Sequence, residues 1–163
     1  MKTNIKNTLL AAVQESKERK DAAQKSLEAE KTAEQQFMDS FKQVRAEVIK
    51  PAMEELKALL TANGVICGIH ESEERFEDRT GRMAERCGIT MTFFDDTKNR
   101  HVATSYPHFT VYADKLAKNV SFHQSTIGPG RGGSAGNCGS SDLDKVTHDL
   151  IQEYVTNLVT KVV

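Results

Sequence analysis

The residues best suited to carry chemistry lie in a glycine-rich segment, residues 128–141 (GPGRGGSAGNCGSS), that precedes a predicted helix. Backbone N–H groups of such a loop can bind phosphate when a helix N-terminus lies behind them. A charge-assisted contact from an arginine would strengthen that binding. The candidate ligand-binding residues are Gly130, Arg131, Gly132, Gly133 and Ser134.

Three features of this segment argue against phosphate binding. It lacks the lysine of the GxxxxGK[ST] P-loop, and it does not follow the GxGxxG order of a dinucleotide-binding βαβ unit. Asp142 and Asp144 place negative charge where an anion would bind. A flexible connection between a strand and a helix is therefore the preferred interpretation. The alternative is a small-ligand or phosphate-binding domain, with or without enzymatic activity.

The histidines and cysteines form no local metal-binding motif. Structural zinc sites take four ligands, which usually come in closely spaced pairs. The only such pair is Cys67 and His70, and in a strand these two side chains point to opposite faces. His108 and His123 can share one face of neighbouring strands, but no local motif completes a site. We predict no metal, no cofactor and no catalytic residue, and we favour a non-enzymatic protein over an enzyme.

Two helices are predicted to support these segments. In residues 37–63 the apolar positions recur at three- and four-residue steps, which places them along one side of a helix. They are Phe37, Phe41, Val44, Val48, Ala52, Leu56 and Leu59. Pro51 should kink this helix because it lacks an N–H, and Gly64 can adopt the left-handed conformation that ends helices. The second helix is predicted over residues 142–162, capped by Ser141 or Asp142.

Strands are predicted within residues 65–127, where apolar and polar residues alternate. Short connections favour an antiparallel sheet of about four strands, with the first strand in a central position because both its faces begin apolar. Residues 128–141 are too rich in glycine for regular structure. The predicted fold is α+β. A long N-terminal helical arm, residues 1–36, precedes a domain, residues 37–163, in which the sheet packs against the kinked helix and the C-terminal helix.

One face of the predicted sheet is polar and aromatic. It carries Thr90, Thr92, Phe94, Thr110, Tyr112, Ser121 and His123. This mixture suits contact with another protein, although threonine and tyrosine are also ordinary residues of a solvated strand. Aromatic residues on a sheet can stack nucleic-acid bases, but the basic residues that accompany such binding are sparse here. A protein partner is therefore preferred to nucleic acid.

The helical arm contains no glycine or proline between residues 3 and 36. Its centre offers little apolar surface, so an isolated helix there would gain little from packing. A weak heptad seam runs along it, interrupted by Ser16, Lys20 and Glu30. One interpretation is a solvated single helix or a helical hairpin, and the other is a coiled coil between two copies. The predicted interface residues are Ile5, Leu9, Val13, Leu27, Phe37, Phe41, Val44 and Val48.

Composition and charge argue against several classes of partner and cellular location. The formal net charge is −1, so no strongly basic surface is available to nucleic-acid phosphates. No apolar run is long enough to span a bilayer, and the apolar patch at residues 9–13 lacks the features of a signal peptide. Three widely spaced cysteines do not suggest a disulfide framework. We expect a cytoplasmic interaction or assembly protein that forms a homodimer through its helical arm, with no membrane or nucleic-acid partner.

Overall fold

The computed structural model describes residues 3–94, 106–130 and 132–163, with side chains described from Asn7 onward. The chain divides into two compact units, Met1–Phe37 and Met38–Val163. The first helix, α1 (Thr3–Val44), is continuous, so the helical-hairpin interpretation of the arm is wrong. Continuity follows from a sequence rich in good helix formers that contains no glycine or proline before residue 51.

A π-helical turn, Arg45–Ile49, joins α1 to the second helix, α2 (Lys50–Ala62). In this turn the Lys50 N–H donates to the carbonyl of Arg45, five residues earlier. Pro51, the predicted site of a kink, lies in the first turn of α2. The helical irregularity therefore falls in the turn before Pro51. After α2, Gly64 has a φ of 83°, the left-handed conformation predicted for it.

In the described residues, seven strands follow the two helices. They are β1 (Ile66–Ser72), β2 (Arg75–Phe76), β3 (Met83–Glu85), β4 (Gly88–Phe94), β5 (His108–Asp114), β6 (Asn119–Ser125) and β7 (Ala135–Ser141). β2 and β3 form a separate hairpin, and the other five form an antiparallel sheet in the order β1–β4–β5–β6–β7. The predicted α+β class with an antiparallel sheet and a long N-terminal helix is confirmed, with one more strand in the sheet than expected.

The prediction that the first strand is central is wrong, because β1 lies at an edge of the sheet. The face of β1 that carries Gly68 is apolar because of an aromatic contact and not because of a central position in the sheet. A Cβ at Gly68 would lie 3.1 Å from the Phe94 ring, so this face of β1 packs under an aromatic side chain of the neighbouring strand. Two apolar faces at the start of a strand therefore do not require a strand on each side.

The prediction that residues 128–141 lack regular structure is also wrong, since β7 occupies the second part of this segment. β7 pairs with β6 from Ser125 opposite Ala135 to Val120 opposite Ser141. A Cβ at Gly139 would overlap the hydroxyl group of Tyr154. Glycine in this strand thus reflects the close approach of an aromatic side chain, which composition alone does not reveal.

The C-terminal helix, α3 (His148–Val162), begins later than predicted. A 3-10 turn, Leu143–Lys145, comes first. The cap is Thr147 rather than Ser141 or Asp142, and its Oγ1 accepts a hydrogen bond of 3.2 Å from the Leu150 N–H.

Helices α2 and α3 contact each other and pack on one face of the main sheet. The largest fully buried side chains come from the end of α1, the π-helical turn, α2, the three strands β4–β6 and α3: Phe41, Ile49, Met53, Ile89, Met91, Phe109, Val111, Val120, Phe122, Ile151, Val155 and Leu158. The ring of Tyr154 lies 4.7 Å from Phe122 and 5.7 Å from Phe109, centroid to centroid. The predicted packing of the sheet against these two helices is therefore present within the second unit.

In residues 37–63 the side of the helix that is buried differs from the apolar side that the sequence predicted. The buried positions are Phe41, Arg45, Ile49, Ala52 and Met53. Val44 and Val48 are only half-buried, and Leu59 is exposed. The burial of Arg45 was not predicted, because a charged residue is normally assigned to the surface.

Candidate functional site

The helical arm presents a long exposed surface. Every side chain in residues 7–32 is exposed. Four of them are large and apolar: Leu9, Leu10, Val13 and Leu27, with 62%, 56%, 47% and 46% of their surface accessible. Helices in water gain most of their stability from packing of an apolar face. The arm therefore carries apolar side chains that its own unit leaves uncovered.

Polar side chains of the arm pair with each other along the helix. The pairs are four residues apart: Glu15 with Arg19, Gln14 with Glu18, and Gln24 with Glu28. Such pairs stabilise an isolated helix by about 0.2–0.5 kcal/mol each. All of these residues lie off the heptad seam that contains Val13, Lys20 and Leu27. The pairs therefore stabilise the helix without using a seam side chain.

The predicted interface residues fall into two groups. The first unit contains Ile5, Leu9, Val13, Leu27 and Phe37, and the second contains Phe41, Val44 and Val48. The side chain of Ile5 lies outside the described part of the chain. Phe41 is fully buried in the core of its own unit, so its ring stabilises the domain and is not available to a partner. Leu9, Val13 and Leu27 have the exposure that an interface requires.

The face of the sheet away from the helices carries a polar row. Strand register aligns His70, Thr90, Thr110, His123 and Asn137, one from each strand. The hydroxyl oxygens of Thr90 and Thr110 are 2.9 Å apart and share a hydrogen bond. A shallow depression of about 250 Å³ lies beside this row. The register also places all seven residues of the predicted polar face on this side.

His108 and His123 share this face, as predicted, and their rings stack. The rings of His108 and His123 lie 5.7 Å apart, centroid to centroid, and His108 Nδ1 lies 2.9 Å from the carbonyl oxygen of Tyr106. Burial, followed by the charge of His108, lowers the pKa of His123. The lowered pKa favours the neutral imidazole form of His123, which can both donate and accept a hydrogen bond.

Parts of the polar face are covered by other side chains. Thr92 and Ser121 are buried. The ring of Tyr106 packs edge-on against Phe94 at 5.2 Å, and the guanidinium of Arg86 lies 4.7 Å from the centre of the Tyr112 ring. The accessible surface is therefore smaller than the alternation of residues predicted.

A buried arginine joins the π-helical turn to the sheet. Arg45 donates hydrogen bonds to the carbonyls of Ser72 (2.9 Å) and Gly88 (3.2 Å) and to the carboxylate of Glu73. Glu71 lies 3.4 Å from Arg45 Nε. π-helical turns often occur at functional sites, but here the guanidinium binds groups of its own unit. The signal in the sequence was an arginine four residues from both Phe41 and Ile49, in phase with the core.

Two lysines complete this charged cluster. Lys50 lies 2.6 Å from Glu71, and Lys42 lies 3.0 Å from Glu73. The hydrogen bond from Lys50 lowers the pKa of Glu71, and hydrogen bonds from Arg45 and then Lys42 lower the pKa of Glu73. Both carboxylates are therefore held in the charged form, which suits a structural cluster and not a general acid.

The cysteines are free thiols. Burial is the main cause that raises the pKa of Cys67, Cys87 and Cys138, so all three stay protonated near neutral pH. Cys67 faces the core, and His70 faces the other side of β1, as predicted. Within the ranges that the structure describes, no three His, Cys, Asp or Glu residues are grouped to hold a metal ion. His101 lies outside those ranges.

The candidate ligand-binding residues belong to the turn between β6 and β7. Thr126 and Ser134 close this turn, with 2.9 Å from the Thr126 N–H to the Ser134 carbonyl and 2.9 Å from the Ser134 N–H to Thr126 Oγ1. Gly130 has a φ of 70°, and Arg131 lies outside the described residues. Gly132 and Gly133 are exposed.

This turn is not followed directly by a helix. The strand β7, which has 7 residues, lies between Ser134 and the start of α3. At about 3.3 Å per residue, the strand alone spans roughly 23 Å. The combination of glycine-rich loop and adjoining helix N-terminus, which motivated phosphate binding, does not form here.

No protein family, curated protein or solved structure matches this chain. Within the described residues, no helix combines the length and the apolarity needed to cross a membrane. Four of the large apolar side chains that are exposed in the described residues, Leu9, Leu10, Val13 and Leu27, lie on the helical arm.

Proposed function

We propose that this chain is a non-enzymatic interaction or assembly protein that forms a homodimer through its helical arm. The observation that carries the proposal is the exposure of Leu9, Val13 and Leu27, which share one heptad seam. Each apolar side chain that a second helix covers contributes about 25 cal/mol per Å² of buried apolar surface. Seam spacing places all three on the side of the helix that a partner helix would contact.

The energetics of the arm support a partner. Fixing the backbone of one residue costs about 1–2 kcal/mol, and the exposed side chains of residues 7–32 bury little surface within the chain. Side-chain pairs one turn apart offset only a small part of that cost. A second copy supplies the same seam, and a two-fold dimer is the commonest closed arrangement of identical chains.

The polar face of the sheet is the second surface that we assign to interaction. Its row of hydroxyl and imidazole groups, represented by Thr90, Thr110 and His123, offers hydrogen-bond donors and acceptors to another protein. An assembly protein needs a contact beyond its own dimer interface, and this face is suited to that role.

We place the protein in the cytoplasm. Three free thiols in a chain of this size suit a reducing compartment. The neutral pH of that compartment also keeps Glu71 and Glu73 charged within the Arg45 cluster.

Two adjacent alanines provide a matched test of the dimer. Ala23 lies on the seam and Ala22 lies beside it, and both are exposed. Ala23→Glu should weaken dimerisation about tenfold, because it buries a carboxylate in the interface. Ala22→Glu changes helix propensity equally and should leave dimerisation unchanged. Light scattering over a concentration series measures both, and equal behaviour of the two variants would contradict the proposal.

A further inference from the structure

We propose that the two arms pair antiparallel, in one register whose two-fold axis lies between the two layers formed by Ala23 and Leu27. This inference rests on the proposed homodimer and adds the direction and alignment of its helices. The seam continues at three- and four-residue steps through eight positions: Val13, Ser16, Lys20, Ala23, Leu27, Glu30, Glu34 and Phe37. The charged positions on this seam decide between the possible pairings.

A parallel pairing places each seam residue opposite its own copy. Lys20 would then face Lys20, Glu30 would face Glu30, and Glu34 would face Glu34. Three of the seam layers would bring like charges together at the point of closest approach, where repulsion is least screened by water. The small apolar content of the arm cannot offset this repulsion easily.

The antiparallel register removes all three conflicts. Its layers place Val13 opposite Phe37, Ser16 opposite Glu34, Lys20 opposite Glu30, and Ala23 opposite Leu27 of the second copy. Apolar residues meet apolar residues, the lysine meets a carboxylate, and the serine hydroxyl can donate to the remaining carboxylate. By symmetry each of these contacts occurs twice.

Neighbouring antiparallel registers fail. A shift by one heptad in one direction places Val13 opposite Glu30. A shift in the other direction places Lys20 opposite Phe37 and Leu27 opposite Glu30. Each of these shifts buries a charge against an apolar side chain. One alignment therefore satisfies all eight seam positions from Val13 to Phe37.

The local surroundings of Lys20 and Glu30 support this pairing. Residues three and four positions from Lys20 are Ser16, Lys17, Ala23 and Gln24, none of which is acidic. Residues at the same distances from Glu30 are Ser26, Leu27, Ala33 and Glu34, none of which is basic. Arg19, in contrast, bonds to Glu15 within its own helix. The charges of Lys20 and Glu30 are thus left for a second copy to balance.

One like-charge contact lies on the flank of this register, where Lys17 approaches Lys31. Each of these lysines has an acid close by on its own helix, Asp21 for Lys17 and Glu28 for Lys31. Flanking positions are also open to solvent, where interactions between charges are weak. This contact therefore does not reverse the preference set by the seam.

Charge exchange in the full chain tests the pairing. Lys20→Glu alone should weaken the dimer about tenfold, because two attractive contacts become repulsive, and Glu30→Lys should do the same. The double variant should restore the original affinity. In a parallel dimer each single variant only replaces one like-charge layer by another. Equal affinity of the single variants, the double variant and the unchanged chain would overturn the antiparallel register.

Cross-linking tests the alignment by a second route, in a Cys138→Ser background that removes the half-buried thiol. In the proposed register Ser26 lies beside its own copy at the two-fold axis, whereas the two copies of Val13 are separated by about 36 Å. A short bis-maleimide should therefore join two chains of Ser26→Cys and should not join two chains of Val13→Cys. The reverse pattern would overturn the proposal.

Light scattering on the same samples separates the two levels of inference. A dimer that cross-links through Val13→Cys keeps the proposed function and overturns the antiparallel register. A monomer overturns both. A dimer in which neither variant cross-links shows that the arm is not the interface, which also overturns both.

Discussion

The two units of this chain obtain their stability from different sources. In Met38–Val163, side chains such as Phe41, Phe109 and Phe122 are fully buried, so the hydrophobic effect acts within one chain. In Met1–Phe37, every side chain in residues 7–32 is exposed. Within the single chain, helix propensity and pairs such as Glu15–Arg19 stabilise that helix. The comparison separates a unit with its own hydrophobic core from an arm for which we propose a partner.

The largest effect is expected in the core of the second unit. Phe122→Ala should lower the free energy of unfolding by about 3–5 kcal/mol, because it removes a fully buried ring and leaves a cavity. Leu116→Ala is the control, since Leu116 is 81% exposed. Denaturation by urea measures both variants. A loss below about 1 kcal/mol for Phe122→Ala would show that this core is not the source of stability.

A loss of similar or slightly smaller size is expected at the charged cluster. Arg45→Ala should cost about 3 kcal/mol, because it leaves the carbonyls of Ser72 and Gly88 and the carboxylate of Glu73 without their donor. Arg45→Met keeps the packing volume and should recover part of that loss. If Arg45→Ala unfolds at the same urea concentration as the unchanged chain, the cluster has no structural role.

A smaller effect is expected from close backbone packing in β4. A Cβ at Gly88 would lie 2.6 Å from the carbonyl oxygen of Val111, so Gly88→Ala should cost about 1–3 kcal/mol. Gly136→Ala in β7 is the matched control, because no atom lies within 4 Å of its added Cβ. Thermal unfolding compares the two, and an equal shift in Tm would contradict the packing at Gly88.

The acid dependence of stability follows from the same cluster. The folded-state pKa values of Glu71 and Glu73 are lowered by their hydrogen bonds to lysine and arginine. The stability that these groups contribute is present above their unfolded pKa of about 4.3 and is lost as pH falls through the lower folded values. The double variant Glu71→Gln, Glu73→Gln should therefore lose less stability below about pH 4 than the unchanged chain. Parallel profiles would exclude this linkage.

The smallest effect is expected in the first unit. Leu27→Ala should change the unfolding of the second unit by less than about 0.5 kcal/mol, because Leu27 is 46% exposed. All 3 tyrosines lie in the second unit and there is no tryptophan, so tyrosine fluorescence reports on that unit alone. A large shift of this signal would show that the two units do not obtain their stability separately.

Periodicity in the sequence predicted the helices and strands that bury one regular apolar side. The helices, four of the sheet strands and the polar face with Thr90 and Thr110 were found in this way, because apolar spacing directly reflects which side is buried. It missed β7, where glycine makes room for Tyr154, and it missed Arg45, whose burial depends on carbonyls and carboxylates distant in sequence. Contacts of that kind are fixed by tertiary structure and leave no local pattern.

The surface of the arm could be predicted more fully than the loops. Leu9, Val13 and Leu27 were found on the seam because a single helix has one geometry. Phosphate binding by the turn near Gly130 could not be predicted in the same way, because it requires a helix that directly follows the turn. Its glycine content predicted a loop that leads directly into the helix at residue 142, but the chain forms β7 first.

Sedimentation equilibrium of the full chain, over a wide range of concentrations, tests most directly whether the arm joins two copies. The account predicts a mass that rises from 18.1 kDa for the single chain toward twice that value, with Ala23→Glu delaying the rise and Ala22→Glu following the unchanged chain. A mass that stays at that of the single chain at every concentration would contradict it.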